Sequence, residues 1–187
     1  MEGKKHFMKK VEFLENPEKR GDILPEELLD MLPIQQTDTF LDLGAGTGYL
    51  TIPAAKRVKG SVFALDIDDQ MLALIHSKAK KEHLTNIQTI NSRIEDISLP
   101  SHSIDFSIAS LVLHEIEPLS ESLQQIKRVL KSGGYFVCVE FEKKDSPAPH
   151  HPRISSTMME EKIRNTGLEV IERYPKEEIY IIVAQKP

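Results

Sequence analysis

The sequence predicts a doubly wound α/β domain, a mainly parallel sheet with helices on both faces, closed by an antiparallel pair. Three observations predict it. Apolar runs of strand length alternate with helical periodicity from Thr39 to Phe141, and such alternation requires a parallel sheet with crossover helices. Phe40-Leu41-Asp42-Leu43 leads directly into Gly44-Ala45-Gly46-Thr47-Gly48, which reads as strand, glycine-rich turn and helix start. Finally, only Pro175-Lys176-Glu177 separates two late strand-like runs, too short a connection for parallel neighbours.

Each element has its own signal. Residues 1–20 are charged, with Phe7, Met8, Val11, Phe13 and Leu14 scattered among them, which fits a short amphipathic helix or an ordered arm. Asn16-Pro17-Glu18-Lys19-Arg20-Gly21 breaks that pattern. Pro25-Glu26-Glu27 has the proline and the acids of a helix start, Leu28, Leu29, Met31 and Leu32 form its apolar face, and Pro33 ends it. After the strand Thr39–Leu43, Tyr49–Val58 reads as helix, with Pro53 in tension with it unless it sits near the first turn. Ser61–Leu65 is a strand ending at Asp66. Asp69–Glu82 is a helix with the stripe Leu72, Ile75 and Ala79, Met71 beside it.

Asn86–Ile90 and Ile104–Ser110 are the third and fourth strands. Leu119–Lys131 is a helix carrying Leu123, Ile126 and Leu130 on one face, with Gly133-Gly134 as its stop, and Tyr135–Phe141 is the fifth strand. Pro147, Pro149 and Pro152 make 142–153 a loop. Thr157-Met158-Met159-Glu160 fits a capping box for a helix that runs to Asn165 and closes at Gly167. Leu168–Tyr174 and Glu178–Ala184 complete seven strands.

Composition bounds the function. The 187 residues suit one domain, read as 1–187, with 1–25 as an N-terminal arm or lid and 141–156 as a loop near the site. A net charge of −5 disfavours nucleic acid as a partner, and Lys4, Lys5, Lys9 and Lys10 read as a solvated terminus. The lone cysteine, Cys138, alternates with Phe136 and Glu140 along a strand and reads as core; it excludes an internal disulfide and a cysteine zinc site. The adjacent His150-His151 lack metal-ligand spacing, so no metal is expected. There is no apolar run of membrane-span length and no signal-peptide core, so the expectation is a cytoplasmic protein, monomer or homodimer.

In a sheet of this kind ligands bind beyond the C-terminal strand ends. That edge collects residues 44–48, Asp66, the segment 91–96, Ser110 to Glu115 and Glu140 to Lys143. Glycines there let a ligand approach the main chain. Asp42 beside the turn repels phosphate and suits an ammonium or hydroxyl group. Asp66, roughly 20 residues further on, suits ribose hydroxyls. The Gly-x-Gly-x-x-Gly of nicotinamide sites is broken, because Tyr49 stands in the third glycine's place.

Leu41 to Thr51 resembles motif I of the class I S-adenosylmethionine-dependent methyltransferases, and Ala64-Leu65-Asp66-Ile67 resembles their second motif. Leu99-Pro100 with Ile104-Asp105-Phe106, then Leu113-His114-Glu115, then Arg128-Val129-Leu130-Lys131-Ser132-Gly133-Gly134, continue the likeness. Asn16-Pro17-Glu18-Lys19-Arg20 resembles an N-terminal element of the subgroup near the ubiquinone-biosynthesis methyltransferases. The resemblance implies a Rossmann-like seven-stranded sheet of order 3-2-1-4-5-7-6, strand 7 antiparallel, and S-adenosylmethionine as cofactor with S-adenosylhomocysteine as product. It implies Gly44, Ala45, Gly46 and Thr47 along the methionine part, Asp42 near its ammonium group and Ser110 near the same end. Asp66 then holds the ribose, and Ile67 and Ile94 take the two adenine faces. Arg93 stands where the family often has an acid for the adenine amino group; Glu95 or Asp96 is the substitute.

Methyl transfer from a sulfonium needs alignment above all, worth roughly 7–11 kcal/mol at best, and a base only when the acceptor must lose a proton. His114, Glu115 and Glu140 are the candidate catalytic groups; the alternative for His114 is a structural strand end. Phe7, Met8 and Phe13 either cover the acceptor or pack on the domain. The expected function is methyl transfer to a small-molecule acceptor. One cysteine argues against arsenic as that acceptor. The rivals are a non-catalytic S-adenosylmethionine-binding protein and a protein or RNA methyltransferase. Ser110-Leu111-Val112-Leu113 stands where amide or adenine methylation expects Asn-Pro-Pro-Tyr.

Overall fold

The four residues of β1 (Phe40–Leu43) are all buried, because this strand lies inside the sheet with parallel neighbours on both edges. The structure, a computed structural model, describes residues 2–21, 23–143 and 152–187. β2 (Val62–Asp66) and β3 (Ile87–Asn91) extend the sheet on one side of β1, and β4 (Ile104–Ser110) and β5 (Leu130–Phe141) on the other, all parallel. β7 (Ile179–Gln185) pairs antiparallel with both β5 and β6 (Glu169–Pro175). The order is β3-β2-β1-β4-β5-β7-β6, as the sequence implies.

α2 (Pro25–Asp30), α3 (Thr51–Arg57) and α4 (Asp69–Lys81) cover one face, and α5 (Leu119–Val129) and α6 (Ser156–Asn165) the other. On the first face Phe40, Phe106 and Tyr135 stack across β1, β4 and β5 with ring centroids 5.1 Å apart, in register with the strand pairing. On the second, Leu123, Ile126 and Val129 of α5 meet Met159 and Ile163 of α6 over Leu41, Leu43 and Cys138. Cys138 is thus a core residue. α1 (Glu2–Glu15) lies at the edge of the sheet and is tied to the rest by Lys10–Asp68 at 2.9 Å and Lys78–Glu15 at 2.6 Å.

Besides shifts of one or two residues at other element ends, three boundaries differ from the sequence reading for a visible reason. α3 begins at Thr51, not Tyr49, because the turn 44–50 is held by its own bonds, such as Gly48 N–H to the Ala45 carbonyl at 2.8 Å. Pro53 therefore falls in the first turn, where a helix needs no donor. α5 stops at Val129 rather than Lys131, and no glycine caps it. Leu130 is already extended and pairs with Ile104, and the Lys186 ammonium donates to the Lys127 and Leu130 carbonyls at 2.7 Å each. The cap of α6 is Ser155, whose hydroxyl accepts the Met158 N–H at 3.3 Å, so the capping box on Thr157 is two residues too late. Most of the proline-rich loop, with His150-His151, lies outside the described residues. Among those described, no helix is long and apolar enough to cross a membrane.

Candidate functional site

A cavity of about 970 Å³ opens over the C-terminal ends of β1, β2 and β4. Small-molecule sites run to roughly 1,000 Å³, so this is a large one. All eleven residues expected at the cofactor line it: Asp42, Gly44, Ala45, Gly46, Thr47, Asp66, Ile67, Arg93, Ile94, Glu95 and Ser110. His114 and Glu115 line it too. Glu140 does not: it is 1% exposed and stands behind His114.

The glycine turn is shaped from two sides. Gly44 has φ 67°, and a Cβ there would stand 2.5 Å from Val112 Cγ2. Gly46 has φ 51°, yet a Cβ there would meet nothing closer than Leu14 Cδ1 at 3.7 Å. Gly44 is therefore demanded by packing, whereas Gly46 leaves bare main chain facing the cavity. The Gly46 N–H donates to Asp66 Oδ2 at 2.7 Å, and the Asp68 N–H to Asp66 Oδ1 at 2.9 Å. Each carboxylate oxygen keeps a lone pair for a further donor. Ile67 beside it is 69% exposed, an apolar side chain left uncovered at the cavity wall.

Asp42 is buried, and burial pushes its carboxyl up to about 6; the Thr51 hydroxyl, donating at 2.6 Å, and the Arg20 charge oppose that rise. A buried carboxylate in this state favours an added cation. Arg20 supplies the opposite sign close by. It is held by a 3-10 turn (Pro17–Arg20), capped at its start by Asn16, whose side chain accepts the Glu18 N–H at 3.0 Å. Its guanidinium lies 4.5 Å from the Tyr49 ring centroid and donates to the Ser110 hydroxyl at 3.0 Å. Its Nε is buried without a hydrogen-bond partner among the described residues. Sequence reasoning placed the Asn16–Arg20 element but missed Arg20 as a site residue. The available signal was a buried-length cation locked between a proline and a glycine.

Arg93 is turned to Glu95, Nη2 to Oε1 at 2.7 Å, and of the two acids Glu95 and Asp96 only Glu95 reaches the cavity. α1 adds Lys10, Phe13 and Leu14 to the wall. Phe13 and Met8 are 55% and 56% exposed, so packing on the domain does not absorb them. Phe141, Arg153 and Ile116 line the cavity together with His114, and Val112 lines it beside Gly44. The Arg153 guanidinium sits over the Phe141 ring at 5.0 Å and donates to the Glu142 carbonyl at 3.0 Å. Among the described residues no cluster of side chains is arranged to hold a metal ion.

The residues present fit S-adenosylmethionine. A buried carboxylate and a buried guanidinium lacking one partner flank the turn, matching the two charges of an amino-acid group, and an acid with free lone pairs lies beside an uncovered apolar side chain. Residues 41–138 match the family model described as a methyltransferase domain. A demethylmenaquinone methyltransferase of Listeria welshimeri is 26% identical over 124 residues, 65% of this chain and 52% of that protein. The biotin biosynthesis bifunctional protein BioHC of Cellvibrio japonicus is 36% identical over 109 residues, 58% of this chain and 21% of that one. The chain spans about half the length of the demethylmenaquinone methyltransferases it matches. A crystal structure of an S-adenosylmethionine-dependent methyltransferase from Aquifex aeolicus has the same fold, with a TM-score of 0.85 at 24% identity over 96% of this chain and 98% of that one. With the motif match, the sheet order and the cavity in agreement, the chain belongs to the methyltransferase-domain family, as a class I domain whose cofactor is S-adenosylmethionine.

Proposed function

We propose that the protein transfers the methyl group of S-adenosylmethionine to a small-molecule acceptor. The observation that carries this is one cavity lined both by Asp42, Gly46 and Asp66 and by His114, Phe141 and Arg153. When bound, S-adenosylmethionine supplies a methyl group on a sulfonium centre, open to in-line displacement by a nucleophile. Asp42 pairs with the ammonium of its amino-acid part, and Arg20 with the carboxylate. Gly44, Ala45, Gly46 and Thr47 give the main-chain surface against which that part lies, and Ser110 closes it from β4. Asp66 accepts from the ribose hydroxyls. Ile67 and Ile94 bracket the adenine, with Glu95, oriented by Arg93, near its amino group.

The acceptor then occupies the part of the cavity lined by Phe141, Ile116 and the α1 residue Phe13. The demethylmenaquinone methyltransferases among the relatives support a small-molecule acceptor. α1 acts as a cover, and its two ion pairs set how readily it lifts. Glu115 stands at the rim, its side chain 66% exposed, as an entry-side contact.

Calorimetry tests the donor reading. The protein is expected to bind S-adenosylmethionine and S-adenosylhomocysteine but not NAD, and binding of NAD alone would overturn it. Release of S-adenosylhomocysteine over a metabolite panel then separates an enzyme from a protein that only binds the cofactor.

A further inference from the structure

His114 and Glu140 form a buried pair whose geometry fixes which ring nitrogen is tied up: Nδ1 meets Glu140, while Nε2 has the exposed Glu115 carboxylate 3.8 Å away, beyond hydrogen-bond reach. Leu111, in the left-handed region at φ 57°, ends β4 and turns the chain. The successive N–H groups of Val112 and Leu113 then both reach Glu140 Oε1, at 3.0 and 2.7 Å. Glu140 Oε2 lies 2.7 Å from His114 Nδ1. Both partners of Oε1 are donors. A carboxylate at that position is an acceptor throughout, so Nδ1 carries the proton and Nε2 of the neutral ring is left with its lone pair.

We infer that His114 Nε2 is the general base of the reaction, that Glu140 is its positioning residue, and that the acceptor is a hydroxyl acid, a phenol or an enol, which loses its proton on being methylated. This rests on the methyl-transfer reading above. In the proton step the acceptor O–H bond breaks, its electron pair stays on oxygen, and the proton forms the new Nε2–H bond. The resulting imidazolium is balanced by the Glu140 carboxylate.

Three features favour this acceptor. The His114 side chain is 10% exposed and Glu140 1%, so the pair carries a desolvation cost that a proton-transfer role would explain. Arg153, on the segment before α6, lines the same cavity with a charge that steadies an oxyanion and repels an ammonium. Phe141 and Ile116 give the cavity apolar wall suited to a conjugated ring. The charged groups facing His114 are Glu140 on β5, Glu115 on its own turn and Arg153. Burial opposes the imidazolium, but the bond to Glu140 and the charges of Glu140 and Glu115 outweigh it, so His114 is held above its usual value.

The test is Glu140→Gln in the full chain. The amide oxygen can keep both backbone N–H bonds only by pointing its NH₂ at Nδ1, which forces the proton onto Nε2. Imidazole ¹H–¹⁵N spectra of the ligand-free protein are expected to show Nδ1–H in the wild type and Nε2–H in the variant, with a lower titration midpoint. Turnover on a panel of phenols, enols, amines and thiols is expected to favour phenols and enols and to rise with pH through the His114 midpoint. In the variant kcat is expected to fall about 10²–10⁴-fold with little change in KM. Should the variant not fold, the wild-type tautomer and rescue of His114→Ala by added imidazole decide the matter. An Nε2–H wild type, turnover indifferent to Glu140→Gln, absence of imidazole rescue, or equal use of amines or thiols overturns the inference. Calorimetry with S-adenosylhomocysteine keeps the two readings apart: its affinity is expected to be unchanged in both variants. Failure of the wild type to bind it would instead overturn the donor reading.

Discussion

The two ends of the cavity are built in opposite ways. On the proposed reading the framework of the donor end comes from local sequence: β1, the turn after it and the end of β2 fall within residues 40–68, and main-chain N–H groups bonded to the Asp66 carboxylate shape it, with Arg20, residues 93–95 and Ser110 added from outside that stretch. The acceptor end gathers His114, Glu140 and Arg153 from three separate segments, and side-chain bonds hold it together. A site made by main chain is hard to vary without breaking the fold, whereas one made by distant side chains changes residue by residue. The donor is thus fixed by architecture and the acceptor by substitution.

The largest effect that would break this contrast is at Gly44. Gly44→Ala places a Cβ against Val112 in the left-handed region, and we expect a loss of about 2–5 kcal/mol in denaturant unfolding, with donor binding lost alongside. A stable variant that binds normally would show that the turn is not the rigid part. Arg20→Gln is next. It removes a buried charge, and affinity for S-adenosylhomocysteine is expected to fall about 10–100-fold by calorimetry. Asp66→Ala removes the ribose acceptor and the closure of the turn, for about tenfold or more in the same measurement.

Asp42 sharpens the comparison through pH. Its folded value, about 6, lies above the unfolded 3.8, so the folded chain holds this proton longer. Stability contributed by this group therefore falls as pH rises through that window. An ammonium ligand prefers the ionised form, so affinity for S-adenosylhomocysteine is expected to rise with pH through about 6 and level off above it. Asp42→Asn should flatten the profile. The smallest effect is at Lys10: its pair with Asp68 is partly exposed, and Lys10→Ala is expected to change stability by about 1 kcal/mol or less while speeding donor exchange.

The parallel sheet and its antiparallel closing pair were legible from the alternation and from the three-residue link Pro175-Lys176-Glu177, whereas the strand order itself came with the family resemblance. The donor end was legible for the same local reason, since a strand, a turn and an acid at fixed spacing are read from one short stretch. The boundary at Leu130 was not. Leu130 continues the apolar period of α5, and only its pairing with Ile104 and the reach of Lys186 from the far end of the chain make it strand. Thr157 with Glu160 has the spacing of a capping box, but the helix starts at Ser156 because the Ser155 hydroxyl takes the Met158 N–H. Glu140 was recognised as a candidate but not as the partner of His114, because residues 26 apart meet only across the β4–β5 edge. Arg20 depends in the same way on a turn folding beneath the cavity.

The claim that one end holds the donor and the other the acceptor is tested most directly by titrating S-adenosylhomocysteine into wild type, Asp66→Ala and Glu140→Gln side by side. We predict equal affinity for wild type and Glu140→Gln, and about tenfold or greater weakening for Asp66→Ala. Undiminished binding in Asp66→Ala, or binding lost in a folded Glu140→Gln protein, would contradict it.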